Sequence, residues 1–185
     1  MNTTLLDRAI IFATRAHQGQ ERRGKGLPYI VHPLEALTIV ATLTNDQEIL
    51  AATVLHDTVE DTPVTLNEIR IEFGERVAQL VSYETSLHPS DGGSWRSHKQ
   101  ATLDRLAAAP HDAKIAAIGD KLSNLRTLAL DYQAMGDELW NRFHAPKGKE
   151  EVAWYYQSLG QALKELAGLP PYEEYLALLA RTFGE

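Results

Sequence analysis

The 185-residue chain contains no cysteine. Disulfides and zinc–thiolate sites are therefore excluded, and a cytoplasmic setting is the default expectation. No apolar run reaches the roughly 18 residues that mark a membrane-spanning helix, so no membrane partner is expected. The first residues, Met1-Asn2-Thr3-Thr4-Leu5, lack the basic flank and apolar core of a signal peptide. Positive charge is in deficit too: 18 Lys and Arg stand against 25 Asp and Glu, a formal net charge of −7. That field argues against a nucleic-acid polymer as partner, and an anionic ligand would need a local basic cluster. Alternating strand patterns, internal repeats and low-complexity linkers are absent as well.

What is present is helical patterning. Hydrophobic residues make up 44% and charged residues 23%, an ordinary balance for one globular domain with a substantial core. Leu5, Leu6, Ala9, Ile10, Phe12, Ala13 and Ala16 mark one helix face, with Thr3 or Thr4 as N-cap. Gly19, Gly24, Gly26 and Pro28 break the pattern over 19–31 and predict a loop carrying Arg22, Arg23 and Lys25. A second helix is expected from about Pro33, and a third from about Asp46 to His56 or slightly beyond. Thr65-Leu66-Asn67-Glu68 reads as a capping box opening a helix that Gly74 interrupts. Residues 87–95 read as a loop, and further helices are expected over 96–108, 113–131, 137–144, 148–167 and 172–182. The expectation is a single all-α domain over 1–185.

The chemistry concentrates in Val54-Leu55-His56-Asp57-Thr58-Val59-Glu60-Asp61-Thr62. Apolar residues precede the cluster, so it reads as the buried end of a helix. On a continuous helix His56 would lie over Glu60 and Asp57 over Asp61. Close carboxylates repel and resist burial, and a divalent cation would resolve that cost. Two outlying residues have matching contexts: His32 at the entrance of the second helix, and Asp120 on the otherwise apolar stretch Ile115–Leu122. Two imidazoles and two carboxylates form a mixed nitrogen and oxygen set. Such a set suits Mn²⁺ first, with Fe²⁺, Zn²⁺ or Co²⁺ as other divalent transition metals. Arg22, Arg23 and Lys25 stand close before His32, on a loop suited to clustered phosphates. Asn124 follows Asp120 by one helical turn and can offer a donor and an acceptor to a nucleoside; Thr127 could add a hydroxyl.

The ordered set of Arg22-Arg23, Tyr29-Ile30-Val31-His32-Pro33, His56-Asp57 through Thr62, Phe73-Gly74 and Gly119-Asp120-Lys121-Leu122-Ser123-Asn124-Leu125-Arg126 resembles the HD superfamily of metal-dependent phosphohydrolases. More narrowly, it is similar to the hydrolase domain of Rel/SpoT-type enzymes and to stand-alone small alarmone hydrolases, the group that includes the metazoan SpoT homologue. The resemblance covers about residues 5–165 and leaves no expected room for a synthetase or regulatory domain.

The resemblance implies a compact helical HD bundle in which His32, His56, Asp57 and Asp120 coordinate Mn²⁺. Glu60 and Asp61 would orient or activate the hydrolytic water. Arg22 would cover the base, Arg23 and Lys25 would meet phosphate, and Asn124 and Thr127 would line the nucleoside pocket. The implied reaction removes the 3′-pyrophosphate of ppGpp or pppGpp, giving GDP or GTP and pyrophosphate. An HD hydrolase for adenosine alarmones (ppApp, pppApp) or NADPH, and an idle nucleotide-binding module, stand as alternatives. Departures from the family pattern are His98 in Trp95-Arg96-Ser97-His98-Lys99, where Arg is usual, and Gly119, where Ala is usual. Gly119 is expected to loosen its helix locally. Trp140, Trp154, Tyr155 and Tyr156 read as packing residues, and the sequence leaves the oligomeric state open.

Overall fold

The structure, a computed structural model, describes residues 4–22, 25–85, 93–143, 145 and 148–184. Arg23, Gly24 and most of the loop expected over 87–95 lie outside the described residues, as do Thr3 and His144. In chain order the helices are α1 (Leu5–Ala16), α2 (Val31–Val40), α3 (Gln47–Leu55), α4 (Thr58–Asp61), α5 (Leu66–Phe73), α6 (Glu75–Glu84), α7 (Trp95–Ala108), α8 (His111–Met135), α9 (Lys149–Ala162) and α10 (Pro170–Phe183). The fold is all-α. Its one sheet among the described residues is a small antiparallel hairpin, β1 (Glu21–Arg22) with β2 (Leu27–Pro28). The sequence pattern did not predict that pair, because two-residue strands are too short to show alternation. No helix of the described residues is long and apolar enough to cross a membrane.

The chain divides into two compact units. The first comprises Met1–Leu87 and Pro110–Asp120. Its centre is α3, in which every residue from Ile49 to Leu55 is buried. A helix that is apolar on all sides must be surrounded, and α1, α2 and α6 pack on it. Local signals set the helix ends. Thr4 and Asp7 form a capping box on α1, Thr65 and Glu68 another on α5, and Asp46 accepts from Glu48 N–H at 2.9 Å at the start of α3. Gly74 separates α5 from α6 with φ at 96°, a backbone conformation that disfavours side chains. Arg76 on α6 donates to Asp46, Glu48 and Asp112 at 2.9, 2.7 and 2.8 Å, tying the starts of α3 and α8 to α6.

The expected continuous helix through His56 is corrected. α3 stops at Leu55, His56 and Asp57 form a turn, and α4 is a separate four-residue turn of helix. His56 and Glu60 therefore do not share one helix face. Side chains take over from the backbone ladder there: His56 Nδ1–H donates to the Thr53 carbonyl at 2.8 Å, and the Thr58 hydroxyl donates to the Leu55 carbonyl at 2.7 Å. Both carbonyls belong to the last turn of α3, where the helix leaves them without amide partners.

Gly119 does not interrupt its helix, contrary to the expected loosening: α8 runs unbroken through it. A Cβ at this position would lie 2.6 Å from the Ala36 carbonyl oxygen and 2.7 Å from Val40 Cγ2. The missing side chain lets α8 approach α2 backbone to backbone.

The second unit comprises His88–Ala109 and Lys121–Glu185. Here α9 packs against α7 and α10. Tyr175 is fully buried, and its hydroxyl donates to the Tyr156 carbonyl at 2.7 Å. Arg126 holds Glu174 through two hydrogen bonds of 2.6 and 2.7 Å. Trp140 is buried against Tyr132, Phe143 and Phe183, and Trp95 meets Trp154 and Tyr155 edge-on. Arg96 stacks 3.8 Å from the Trp154 ring centre and Lys99 4.8 Å from that of Tyr155. Trp140, Trp154, Tyr155 and Tyr156 thus all pack against other aromatic rings of this unit. The helix expected over 137–144 is a 3₁₀ segment, Gly136–Arg142. α10 begins at Pro170, not after Pro171, because prolines in the first turn forgo amides that need no helical partner.

Candidate metal centre

Three elements of the first unit deliver the site. His32 lies in the first turn of α2, His56 and Asp57 form the α3–α4 turn, and Asp120 comes from α8. His32, His56 and Asp120 are 2%, 3% and 7% exposed. His32 Nε2 lies 3.0 Å from Asp120 Oδ1 and 3.5 Å from Asp57 Oδ2. His56 Nε2 lies 2.9 Å from Asp57 Oδ2 and 3.6 Å from Asp120 Oδ1. All of the expected ligand residues therefore converge.

Those separations are compatible with a shared cation. Donor atoms bound at about 2.1 Å lie about 3.0 Å apart at right angles and about 3.4 Å apart in a tetrahedron. The chemistry of the imidazoles agrees. The Thr53 carbonyl can only accept, so His56 carries its proton on Nδ1 and neutral His56 presents a lone pair on Nε2. That Nε2 is buried and makes no hydrogen bond of good geometry, although carboxylates surround it. A buried nitrogen in that state suits a metal ligand, and His32, His56 and Asp57 form a cluster that fits a divalent metal.

Charge is strongly coupled here. Burial alone would suppress the imidazolium of His56, yet Asp57 and Asp120 outweigh it and hold its pKa well above the ordinary value. Burial likewise pushes Asp57 upward, but His56 and then His32 outweigh burial and the opposing Asp120, bringing it down to about 2.

The remaining expected residues fall in different places. Asp61 lies on α4, where its Oδ2 accepts from the Tyr29 hydroxyl at 3.0 Å; the same hydroxyl reaches Asp57 Oδ2 at 2.6 Å. Glu60 is its half-buried neighbour. Arg22 ends β1, with its guanidinium carbon 5.9 Å from the Tyr29 ring centre. Lys25 is exposed at the hairpin tip, and Arg23 lies outside the described residues. Asn124 and Thr127 are half-buried on residues 121–135 of α8, in the second unit.

Three residues of the site were not singled out from sequence. Thr53 orients His56, and Tyr29 touches two carboxylates. Gln20 donates to the Asp61 carbonyl at 2.6 Å. The available signals were a threonine one helical turn before a histidine and a tyrosine three residues before another.

The HD domain family matches residues 9–147. The chain belongs to the HD domain family. An Aquifex aeolicus protein named guanosine-3′,5′-bis(diphosphate) 3′-pyrophosphohydrolase is 37% identical over 123 residues, 66% of this chain and 18% of that protein. A Streptomyces coelicolor GTP pyrophosphokinase is 38% identical over 125 residues, 66% of this chain and 14% of that one. The chain therefore spans less than a fifth of the length of these curated relatives. Among solved structures, a metazoan orthologue of SpoT described as hydrolysing ppGpp superposes with a TM-score of 0.78 over 98% of this chain and 96% of that one, at 23% identity. The protein lmo0812 of Listeria monocytogenes EGD-e superposes with a TM-score of 0.69 over 84% and 96%, at 31% identity.

Proposed function

We propose that this HD protein is a cytoplasmic, Mn²⁺-dependent hydrolase that removes the 3′-pyrophosphate of ppGpp and pppGpp, with the whole chain acting as one catalytic domain. The observation that carries the reading is the convergence of His32, His56, Asp57 and Asp120 on one point, with Asp61 joined to Asp57 through Tyr29. The names of relatives such as the Aquifex pyrophosphohydrolase supply the substrate class.

His32, His56, Asp57 and Asp120 would hold the cation, which when bound supplies positive charge for phosphate oxygens and acidifies water. Glu60 and Asp61 orient the attacking water and accept its proton as its oxygen joins the 3′-linked phosphorus. The bond from that phosphorus to O3′ breaks, the ribose oxygen takes up a proton, and GDP or GTP leaves with pyrophosphate. Arg22, Arg23 and Lys25 offset charge on the phosphates, and Arg22 also covers the base. Asn124 and Thr127 hydrogen-bond the nucleoside.

The test is a product assay with Mn²⁺ and separate ppGpp, ppApp and NADPH arms. Release of pyrophosphate and GDP from ppGpp, faster than turnover in the other arms, is the expected result. Preferred turnover of ppApp or NADPH would transfer the site to that substrate. Mn²⁺ binding with no turnover in any arm would make the protein a binding module.

A further inference from the structure

We propose that Tyr29 is a positioning residue that couples the metal ligand Asp57 to the water-handling carboxylate Asp61, an inference that rests on the hydrolase reading above. Its hydroxyl lies 2.6 Å from Asp57 Oδ2 and 3.0 Å from Asp61 Oδ2. The Asp57 oxygen it reaches is the one that faces both histidines, at 2.9 Å from His56 and 3.5 Å from His32. Two carboxylate oxygens drawn to one point repel unless a proton lies between them. The phenol O–H lies between them and supplies that proton.

The hairpin explains how Tyr29 arrives there. The β1–β2 register pairs Glu21 with Pro28, which brings Gln20 beside Tyr29, and the Tyr29 amide donates to the Gln20 carbonyl at 3.0 Å. From this shared position both side chains reach Asp61. Tyr29 donates to its carboxylate, and Gln20 Nε2 donates to its backbone carbonyl at 2.6 Å. A carbonyl can only accept, so the Gln20 amide orientation is determined and its Oε1 must accept from His17 Nδ1–H at 2.7 Å. The buried His17 ring in turn packs against the Tyr29 ring, centre to centre 4.8 Å. His17, Gln20, Asp61 and Tyr29 therefore close a ring of contacts.

This ring has a physical task. α4 is four residues long, and a single helical turn does not hold itself in water. The orientation of Asp61 must come from tertiary contacts, and the hairpin grips both its backbone and its side chain. A tyrosine kept only for packing would have no need of a hydroxyl aimed at two carboxylates. The role is one of positioning, exerted through Asp57 and Asp61.

The test uses the full chain with Tyr29→Phe, which keeps the ring and its contact with His17 but removes the O–H. Mn²⁺ affinity is measured by calorimetry, and kcat and KM are measured on ppGpp at saturating Mn²⁺. Far-UV circular dichroism should match wild type. Mn²⁺ affinity should fall on the order of tenfold, the lower end of the usual loss for a partner behind a metal ligand. At saturating Mn²⁺, kcat should fall on the order of tenfold with KM nearly unchanged. Placed on an Asp61→Asn background, Tyr29→Phe should cost much less in kcat, because the group it positions is already disabled. Wild-type affinity and kcat in Tyr29→Phe would overturn the proposal, as would a loss confined to KM or an undiminished kcat loss on the Asp61→Asn background. Failure of the substrate reading shows separately, as wild-type protein that binds Mn²⁺ without hydrolysing ppGpp. Tyr29 is then judged on Mn²⁺ affinity alone, and unchanged affinity in the variant overturns its role.

Discussion

Gly119 on α8 approaches Ala36 on α2 so closely that a Cβ would sit 2.6 Å from the Ala36 carbonyl oxygen. The next residue on α8 is Asp120, whose carboxylate meets His32 of α2 at 3.0 Å. The close approach of the two backbones is thus what lets a carboxylate and an imidazole from separate helices share one point.

Gly119→Ala is expected to destabilise the fold and the metal site together. Alanine improves helix propensity by about 1 kcal/mol, but overpacking against an immobile carbonyl costs about 1–3 kcal/mol. The clash is expected to win. A lower Tm and weaker Mn²⁺ binding are the outcomes, read by thermal denaturation and calorimetry. A raised Tm with unchanged Mn²⁺ affinity would show that α8 can shift at no cost.

Mn²⁺ affinity should rise with pH. In the metal-free protein, burial opposes charge on His56, but Asp57 and Asp120 hold its imidazolium well above the usual range. Nδ1 is committed to Thr53, so the cation must displace the proton on Nε2, and binding releases that proton. Affinity should climb until the pH exceeds the raised pKa of His56 and then level. Metal-free stability runs the other way. The His56 contribution is fully present below its unfolded pKa near 6.5 and is lost as pH rises through the higher folded value. Asp57 has a depressed pKa, so its contribution is present above the ordinary 3.8 and lost as pH falls towards about 2. These are two sides of one ion pair. Calorimetry in buffers of different ionisation enthalpy counts the released proton, and a pH-independent affinity would contradict the assignment.

Asp57→Ala should abolish Mn²⁺ binding and turnover while leaving the helical spectrum in place. Asp57 supplies the oxygen nearest His56 Nε2, at 2.9 Å, and no other described carboxylate is paired with it so closely. Elemental analysis after dialysis against Mn²⁺ is the measurement. Wild-type occupancy in this variant would remove Asp57 from the ligand set.

Glu60→Gln should separate chemistry from metal binding. The substitution keeps volume and removes the group that can accept a proton, so kcat should fall by about 10²–10⁴-fold. Metal content should remain at the wild-type level. Unchanged turnover in the metal-replete variant would leave water handling to Asp61 alone.

Arg22→Ala should raise KM for ppGpp by roughly one to two decades, the worth of a charged hydrogen bond of about 1.5–3 kcal/mol. Mn²⁺ affinity should change much less, because the Arg22 guanidinium meets the ring of Tyr29. The effect should shrink at high salt, where screening weakens the wild-type contact too. Identical kinetics at low and high salt would assign Arg22 to packing on Tyr29. Arg23→Ala is the parallel variant for the adjacent charge.

Much of this protein is written in local patterns. The all-α class, the capping boxes at Thr4 and Thr65, the break at Gly74 and the buried run of α3 follow from periodicity and capping chemistry, which act within a few residues. The ligand types were legible for a related reason: an imidazole or carboxylate in an apolar context demands a partner, wherever that partner lies. Tertiary structure alone decided which groups meet. His32 and Asp120 are 88 positions apart, and Tyr29 and Asp57 are 28 apart. Their distances depend on a glycine that admits α8 to α2, a hairpin register that sets Gln20 beside Tyr29, and a turn that ends α3 before His56. Helix periodicity carries no information about such approaches, because it specifies a face and not what packs against it. The candidate donors were therefore set by sequence, and their convergence by packing.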